Sequence, residues 1–153
     1  MATASPSDVD RALWALQAYD TLALATVSEA GPHVAGAFFA PEPHEGGIRL
    51  LLALLKGSRK HSELLADPRV SILCSPGNPS RWIQGWGIAA GVEDAEEGRL
   101  MMRRLVEHAP GASMFVDRLP VVAVTIEVRA LKVVEDIGRP PLVVELGPSR
   151  EAA

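Results

Sequence analysis

With 153 residues, 48% hydrophobic and 22% charged, the chain has the size and composition of one globular domain and is too apolar for a disordered segment. Its net charge of −4 offers no broad attraction for nucleic acid or an anionic membrane, so an anion site would have to be local. A single cysteine excludes an internal disulfide and any multi-cysteine metal cluster. The opening Met1 to Arg11 carries acids where a signal peptide needs bases, and the most apolar run, Ile48 to Leu55, is too short to span a bilayer. The expected location is the cytoplasm, with neither a nucleic-acid nor a membrane partner.

Ser7 and Asp10 resemble a capping box with Asp in place of Glu, and Val9, Leu13 and Leu16 recur at helical spacing, which predicts a helix to about Tyr19. Thr21 to Ser28 has no helical stripe and is bounded by turn formers, so a strand is expected. Glu29-Ala30-Gly31-Pro32 turns the chain, and His33 to Ala40 returns as the second arm of a hairpin. The run 41–47, with Pro41, Pro43 and two glycines, is expected to be a loop. Ile48 to Leu55 reads as a strand apolar on both faces, hence central and covered from both sides. Lys56-Gly57 ends it, Ser58 caps a short helix from Arg59 to Ala66, and Asp67-Pro68 stops that helix.

Arg69 to Ser75 is the fourth strand and 76–80 a loop. Arg81 to Glu93 is a strand whose Gly85, Gly87 and Gly91 point to bulges, bends or close backbone approach. Asp94 with Glu97 opens a helix through about His108, its buried side marked by Leu100, Met101 and Leu105, and Pro110-Gly111 ends it. Val121 to Val134 alternates, with Val122, Val124, Ile126 and Val128 on one side and Thr125, Glu127 and Arg129 on the other, which predicts a long half-exposed strand. The Pro-rich segment after Gly138 is expected to be a tail or an arm across a partner. Hairpins joined by short turns favour a mainly β, α+β chain whose antiparallel sheet curls into a small barrel.

The strongest local chemical signal is Ser58-Arg59-Lys60 at a helix start. Free backbone amides, the positive end of the helix dipole, a hydroxyl and two cations meet there, which is what a phosphate needs. The same residues also suit a plain N-cap followed by two solvated bases. The four histidines lie on different elements without ligand spacing, so no metal site is expected, and Cys74 in its apolar strand reads as a buried structural thiol. No nucleophilic triad and no Rossmann or Walker glycine loop is present.

The wider pattern, a Leu-Ala-Thr-Val hairpin arm, Gly-Pro, an apolar strand, then Ser58-Arg59-Lys60, Leu64, Asp67-Pro68 and the strand Val70 to Cys74, resembles the pyridoxamine 5'-phosphate oxidase-like FMN-binding split-barrel superfamily. The resemblance runs from about Leu22 to Asp94 and more loosely through Val121 to Val134. It implies an antiparallel split β-barrel with flanking helices, one FMN-binding domain over 1–138 followed by the tail 139–153, and a homodimer with FMN held at its interface. Ser58, Arg59 and Lys60 would hold the flavin phosphate, and the backbone around Gly36, Ala37 and Phe38 would face the ring. Gln84 or Trp82, on the segment Arg81 to Gly87, would reach the flavin of the neighbouring subunit; the alternative is aromatic packing at a barrel rim or dimer interface.

Departures from pyridoxamine phosphate oxidases proper are plain. Ala35 and Ala40 stand where those enzymes have an arginine and a lysine, Leu54 stands where they have a threonine, and Arg139-Pro140-Pro141 and the stretch after it lack their substrate-binding Arg/His signature. Pyridoxamine phosphate is therefore not the expected substrate, and the chain looks like the smaller members. The implied function is an FMN-dependent oxidoreductase acting on an unidentified small molecule. A deazaflavin-dependent reductase and a non-catalytic flavin- or haem-binding or sensing protein remain the alternatives.

Overall fold

A computed structural model describes residues 4–77 and 79–147. The first helix, α1 (Pro6–Leu16), is capped by Ser5, whose Oγ accepts the Asp8 N–H at 3.3 Å, with Pro6 in the first helical position where its missing N–H costs nothing. Ser5, not Ser7, is therefore the cap. The helix also ends at Leu16, short of Tyr19.

Three strands follow: β1 (Thr21–Ser28), β2 (Gly31–His44) and β3 (Gly47–Leu55). The expected loop 41–47 is instead the second half of β2, and only Glu45-Gly46, both with positive φ, make the turn. β2 pairs with β1 up to Phe38 and with β3 from Phe39 onward. Residues two apart in a strand point their backbone groups the same way, so Pro41 and Pro43 share one side. That side is the one β1 has already left, where a missing N–H breaks no ladder.

Helix α2 (Arg59–Ala66), strands β4 (Arg69–Cys74) and β5 (Trp82–Gly91), and helix α3 (Ala95–His108) match their expected positions within one or two residues. Asp94 caps α3 by accepting the Glu96 and Glu97 N–H groups. Met101 and Leu105 are buried on this helix, but Leu100 is exposed. A 3-10 turn (Pro110–Ala112) and a short helix α4 (Ser113–Arg118), too short to show a period, precede β6 (Val121–Val134). The segment expected as a tail contributes an edge strand, β7 (Leu142–Glu145), with Val144 fully buried; its last residues, 148–153, lie outside the described part.

Every strand pairing is antiparallel, and β1-β2-β3-β6-β5-β4 closes back on β1, giving the split barrel. The strand β6 pairs along one edge with β5; on its other edge β3 occupies 121–127 and β7 takes over at 130–133. Between Trp86 and Gly87 the β5–β6 register shifts, leaving Arg129 as the extra residue of a bulge. The bulge changes which side faces inward: Val124, Ile126 and Val128 are buried before it, Leu131 and Val133 after it. The expected alternation therefore holds only to Val128.

The barrel interior is filled by Leu22, Leu24, Phe39, Ile72, Ile83 and the even-numbered Leu50, Leu52 and Leu54 of β3, with Val9, Ala12 and Leu16 of α1 packed against them. The other face of β3, Leu51 and Ala53, is covered by Met101 and Leu105 of α3, as expected for a strand apolar on both sides. Helix α2 adds Leu64 to the barrel core and, beside it, Glu63, 8% exposed at its side chain. Thr26 Oγ1 donates to Glu63 Oε2 at 2.7 Å and Arg59 Nε donates to Oε1, so the buried carboxylate is satisfied. Those bonds, Thr26 first, hold its carboxyl below the ordinary 4.5, with Arg59 and His33 adding favourable charge against the opposing effect of burial. Burial pushes the Cys74 thiol up to about 12, as suits an unreactive core residue.

Two outcomes are expected. A Cβ at Gly87 would lie 2.3 Å from the Glu127 carbonyl oxygen, whereas one at Gly91 meets nothing within 4 Å. Gly87→Ala should thus cost on the order of 3 kcal/mol, a fall in Tm of roughly 10 °C, while Gly91→Ala stays within about 0.5 kcal/mol of wild type by thermal unfolding. Because the folded-state pKa of Glu63 is lowered, its stabilisation is complete above pH 4.5 and fades as pH falls below it. The Tm difference between wild type and Glu63→Gln should accordingly be largest near neutrality and shrink in acid.

Candidate functional site

The turn Lys56-Gly57, with Gly57 at φ +76°, swings the chain from β3 into α2. Ser58 Oγ accepts the His61 N–H at 3.3 Å, and His61 Nδ1 accepts the Gly57 N–H at 3.1 Å. These bonds shape the helix start but leave the Arg59 and Lys60 N–H groups as first-turn donors without intrahelical acceptors. His61 closes the turn from within the helix, a role its sequence position did not announce.

The three residues of the basic trio behave differently. Ser58 is the cap, with its hydroxyl proton still free to donate. Arg59 is tied to the buried Glu63 four residues on, the spacing at which helical side chains meet. Lys60 reaches across to β2, where its Nζ donates to the Gly36 carbonyl oxygen at 3.2 Å. Behind Arg59, His33 Nδ1 lies 3.8 Å from Glu63 Oε1 and has no hydrogen-bond partner among the described residues.

The reach of Lys60 defines a cleft of about 250 Å³ lined chiefly by Thr21, Gly36, Ala37, Phe38, Lys60 and Phe115. Four of the residues singled out by sequence thus meet in one place. Phe115 comes from α4, which carried no sequence signal. Gly36 matters by what it lacks, since a Cβ there would meet nothing within 4 Å, so the backbone lies open to a flat neighbour. Phe38 packs against Gly111, 3.2 Å from where a Cβ would stand, and this seats the 3-10 turn against β2.

Trp82 and Gln84 lie elsewhere on the barrel. Trp82 Nε1 donates to Gln84 Oε1 at 2.8 Å, and Gln84 lines a second cleft of about 460 Å³ with Ser71, Trp86, Lys132 and Val143. Cross-strand register nevertheless links the two clefts. Gly36 pairs with Ala23, Ala23 with Leu73, Leu73 with Gln84, Gln84 with Lys132 and Lys132 with Val143, a single row across the outer face of the sheet. Gly36 and Gln84 are three strand spacings apart, roughly 14 Å. Along this face Val27, Val34, Leu73, Trp86 and Val143 are 42–64% exposed.

No helix among the described residues is long and apolar enough to cross a membrane. Among curated protein sequences none matches the chain. The fold has solved relatives: a nimC/nimA family protein of Clostridium acetobutylicum (TM-score 0.67, 20% identity, covering 92% of this chain and 94% of that one) and general stress protein 26 of Bacillus anthracis (0.63, 19%, 92% and 98%). A third is HutZ, the haem storage protein of Vibrio cholerae (0.61, 18%, 82% and 94%). These likenesses establish a shared barrel. The pyridoxamine 5'-phosphate oxidase family model matches residues 10–134, which takes in the barrel strands β1 to β6, the cleft and the basic helix start, and the chain belongs to that family.

Proposed function

We propose that the protein is a homodimeric flavoprotein that binds FMN at its subunit interface and acts as an oxidoreductase on an unidentified small molecule. The observation that carries this reading is the Lys60 ammonium held over the open backbone of Gly36, beside the Arg59 and Lys60 amides of the first turn of α2, which have no intrahelical acceptor. A phosphate seated on those amides would gain charge-assisted hydrogen bonds from Lys60 and the Ser58 hydroxyl. Arg59, half-neutralised by Glu63, would add its remaining N–H groups. A flat ring would lie along Gly36, Ala37 and Phe38 without a side chain in its way.

FMN, when bound, supplies the hydride chemistry; the protein anchors the phosphate, orients the ring and excludes water from one face. Among the described residues no acid or base lines the cleft apart from Lys60, consistent with chemistry that rests on the cofactor and on substrate placement.

A cleft of about 250 Å³ is below the usual range of roughly 300–1,000 Å³ for a ligand site, so one subunit would shelter only part of the ring. The apolar outer sheet face supplies the missing wall. A two-fold axis between Ala23 and Leu73, midway along the Gly36–Gln84 part of the Gly36–Val143 row, would set the cleft of one protomer against Gln84 and Trp82 of the partner subunit. Exposed apolar side chains along that row have the character of an interface.

FMN titration followed by flavin fluorescence tests the phosphate assignment. Arg59→Ala with Lys60→Ala should raise the FMN Kd about tenfold or more and change riboflavin binding far less, because riboflavin has no phosphate to lose. Equal losses for both ligands, or none, would overturn it, and a Soret band in the purified protein would replace flavin by haem. In sedimentation equilibrium the wild type should run as a dimer, and Leu73→Asp with Trp86→Asp as a monomer with weakened FMN binding; a monomeric wild type would refute the shared site.

A further inference from the structure

Helix α3 carries more apolar surface than the barrel uses. Met101 and Leu105 are buried against β2 and β3, but Met102 and Val106, one turn apart on a second stripe, are only half-buried. They face Val92, Val116, Val121 and Ala123 across a cleft of about 780 Å³ between α3, α4 and the start of β6, within the size range of small-molecule sites. Gly98 keeps the floor close: a Cβ there would sit 3.7 Å from the Ala123 Cβ.

The charges around this cleft are graded. Arg99 and Arg103, one turn apart, line it and have no ion-pair or hydrogen-bond partner among the described residues, whereas Arg49, Arg59, Arg69 and Arg104 are each paired with a carboxylate. Of the acids that also line it, Asp94 is committed to capping α3, while Glu107 and Asp117 are exposed and adjoin Val106 and Val116 at the far end. Along the helix axis Arg99 comes first, Met102 and Arg103 lie side by side about one turn on, and Val106 with Glu107 comes last. An occupant thus meets the cations over the first half of the cleft and acids that repel an anion at its far end. From Arg99 to Val106 the helix rises about 10 Å, a distance that a medium-length alkyl chain covers.

We propose that this cleft binds a medium-chain carboxylate, its headgroup on Arg99 and Arg103 and its chain over Met102 and Val106. The site is separate from the cofactor cleft and shares no residue with the Gly36–Val143 row, so it stands whether or not FMN binds.

Isothermal titration of the full chain with decanoate provides the test, with decylammonium as the same chain of opposite charge and acetate as the headgroup alone. Decanoate should saturate at one per chain with a Kd at least tenfold below that of decylammonium, and acetate should not saturate. Arg99→Ala with Arg103→Ala, both exposed, should raise the decanoate Kd tenfold or more at unchanged Tm, and Val106→Trp should abolish binding by filling the cleft. Lack of saturable decanoate binding, equal binding of decylammonium, or binding that survives Val106→Trp would overturn the assignment. A change of oligomeric state in these variants without decanoate binding would overturn it too, and give the cleft to a protein contact.

Discussion

The pairing of β3 with β6 is the constraint from which the remaining architecture follows. It joins Leu50 to Ile126, Leu52 to Val124 and Leu54 to Val122, and in doing so turns a six-strand sheet into a ring. Closure pairs the first and last strands of that sheet and leaves each half of β2 with one unpaired edge, and each fully buried leucine contributes about 2 kcal/mol relative to exposure. Two strands make closure possible by changing partners midway. β2 passes from β1 to β3 at Phe38–Phe39, and β6 passes from β3 to β7 beyond Glu127. The β5–β6 bulge accommodates the change of direction, and Gly87 sits where any side chain would strike the β6 backbone.

A filled barrel dictates where chemistry takes place. Leucine, isoleucine and phenylalanine occupy the interior, so a cofactor-sized molecule has to bind outside, on the sheet surface or under the flanking helices. The cleft at Gly36 and Lys60 is such an outside site, made where the start of α2 meets the part of β2 that α3 does not cover. Its electrostatics depend on one buried acid. Glu63 takes up Arg59 and leaves Lys60 as the cation projecting over β2, so the basic trio acts as one cation resting on a backbone carbonyl, one cation shared with a carboxylate and one cap. The local positive charge therefore owes little to the chain's net charge of −4.

Much of the fold was legible in the chain because it was written in short-range patterns. The bounds of β1, α2 and β6 agree with the strand and helix signals residue for residue, and the double-sided burial of β3 followed from its unbroken apolar run. Misreadings arose where a long-range neighbour outweighed a local signal. Pro41 and Pro43 are breakers in isolation but tolerable in a strand whose other partner has departed. β7 is four residues long and forms because β6 offers an unoccupied edge, a fact no window around Leu142–Glu145 contains. The inward-facing set of β6 switches at Arg129 because of Gly87, forty-two residues away by the numbering.

The candidate site divides in the same way. Sequence by itself determined which chemistry was available: a capped helix start with two bases, a glycine in the neighbouring strand, and an amide between two tryptophans on β5. Those features depend on residue type and on spacing within a turn or two, which local backbone geometry converts directly into position. Tertiary structure alone decided which groups meet: Lys60 with Gly36, Arg59 with a glutamate that Thr26 anchors, Phe115 at the cleft wall, and Gln84 on the same outer row as Gly36. Such meetings are set by strand register and barrel closure, which join residues far apart in the chain through hydrogen bonds that any residue can make, and so leave no trace in side-chain identity.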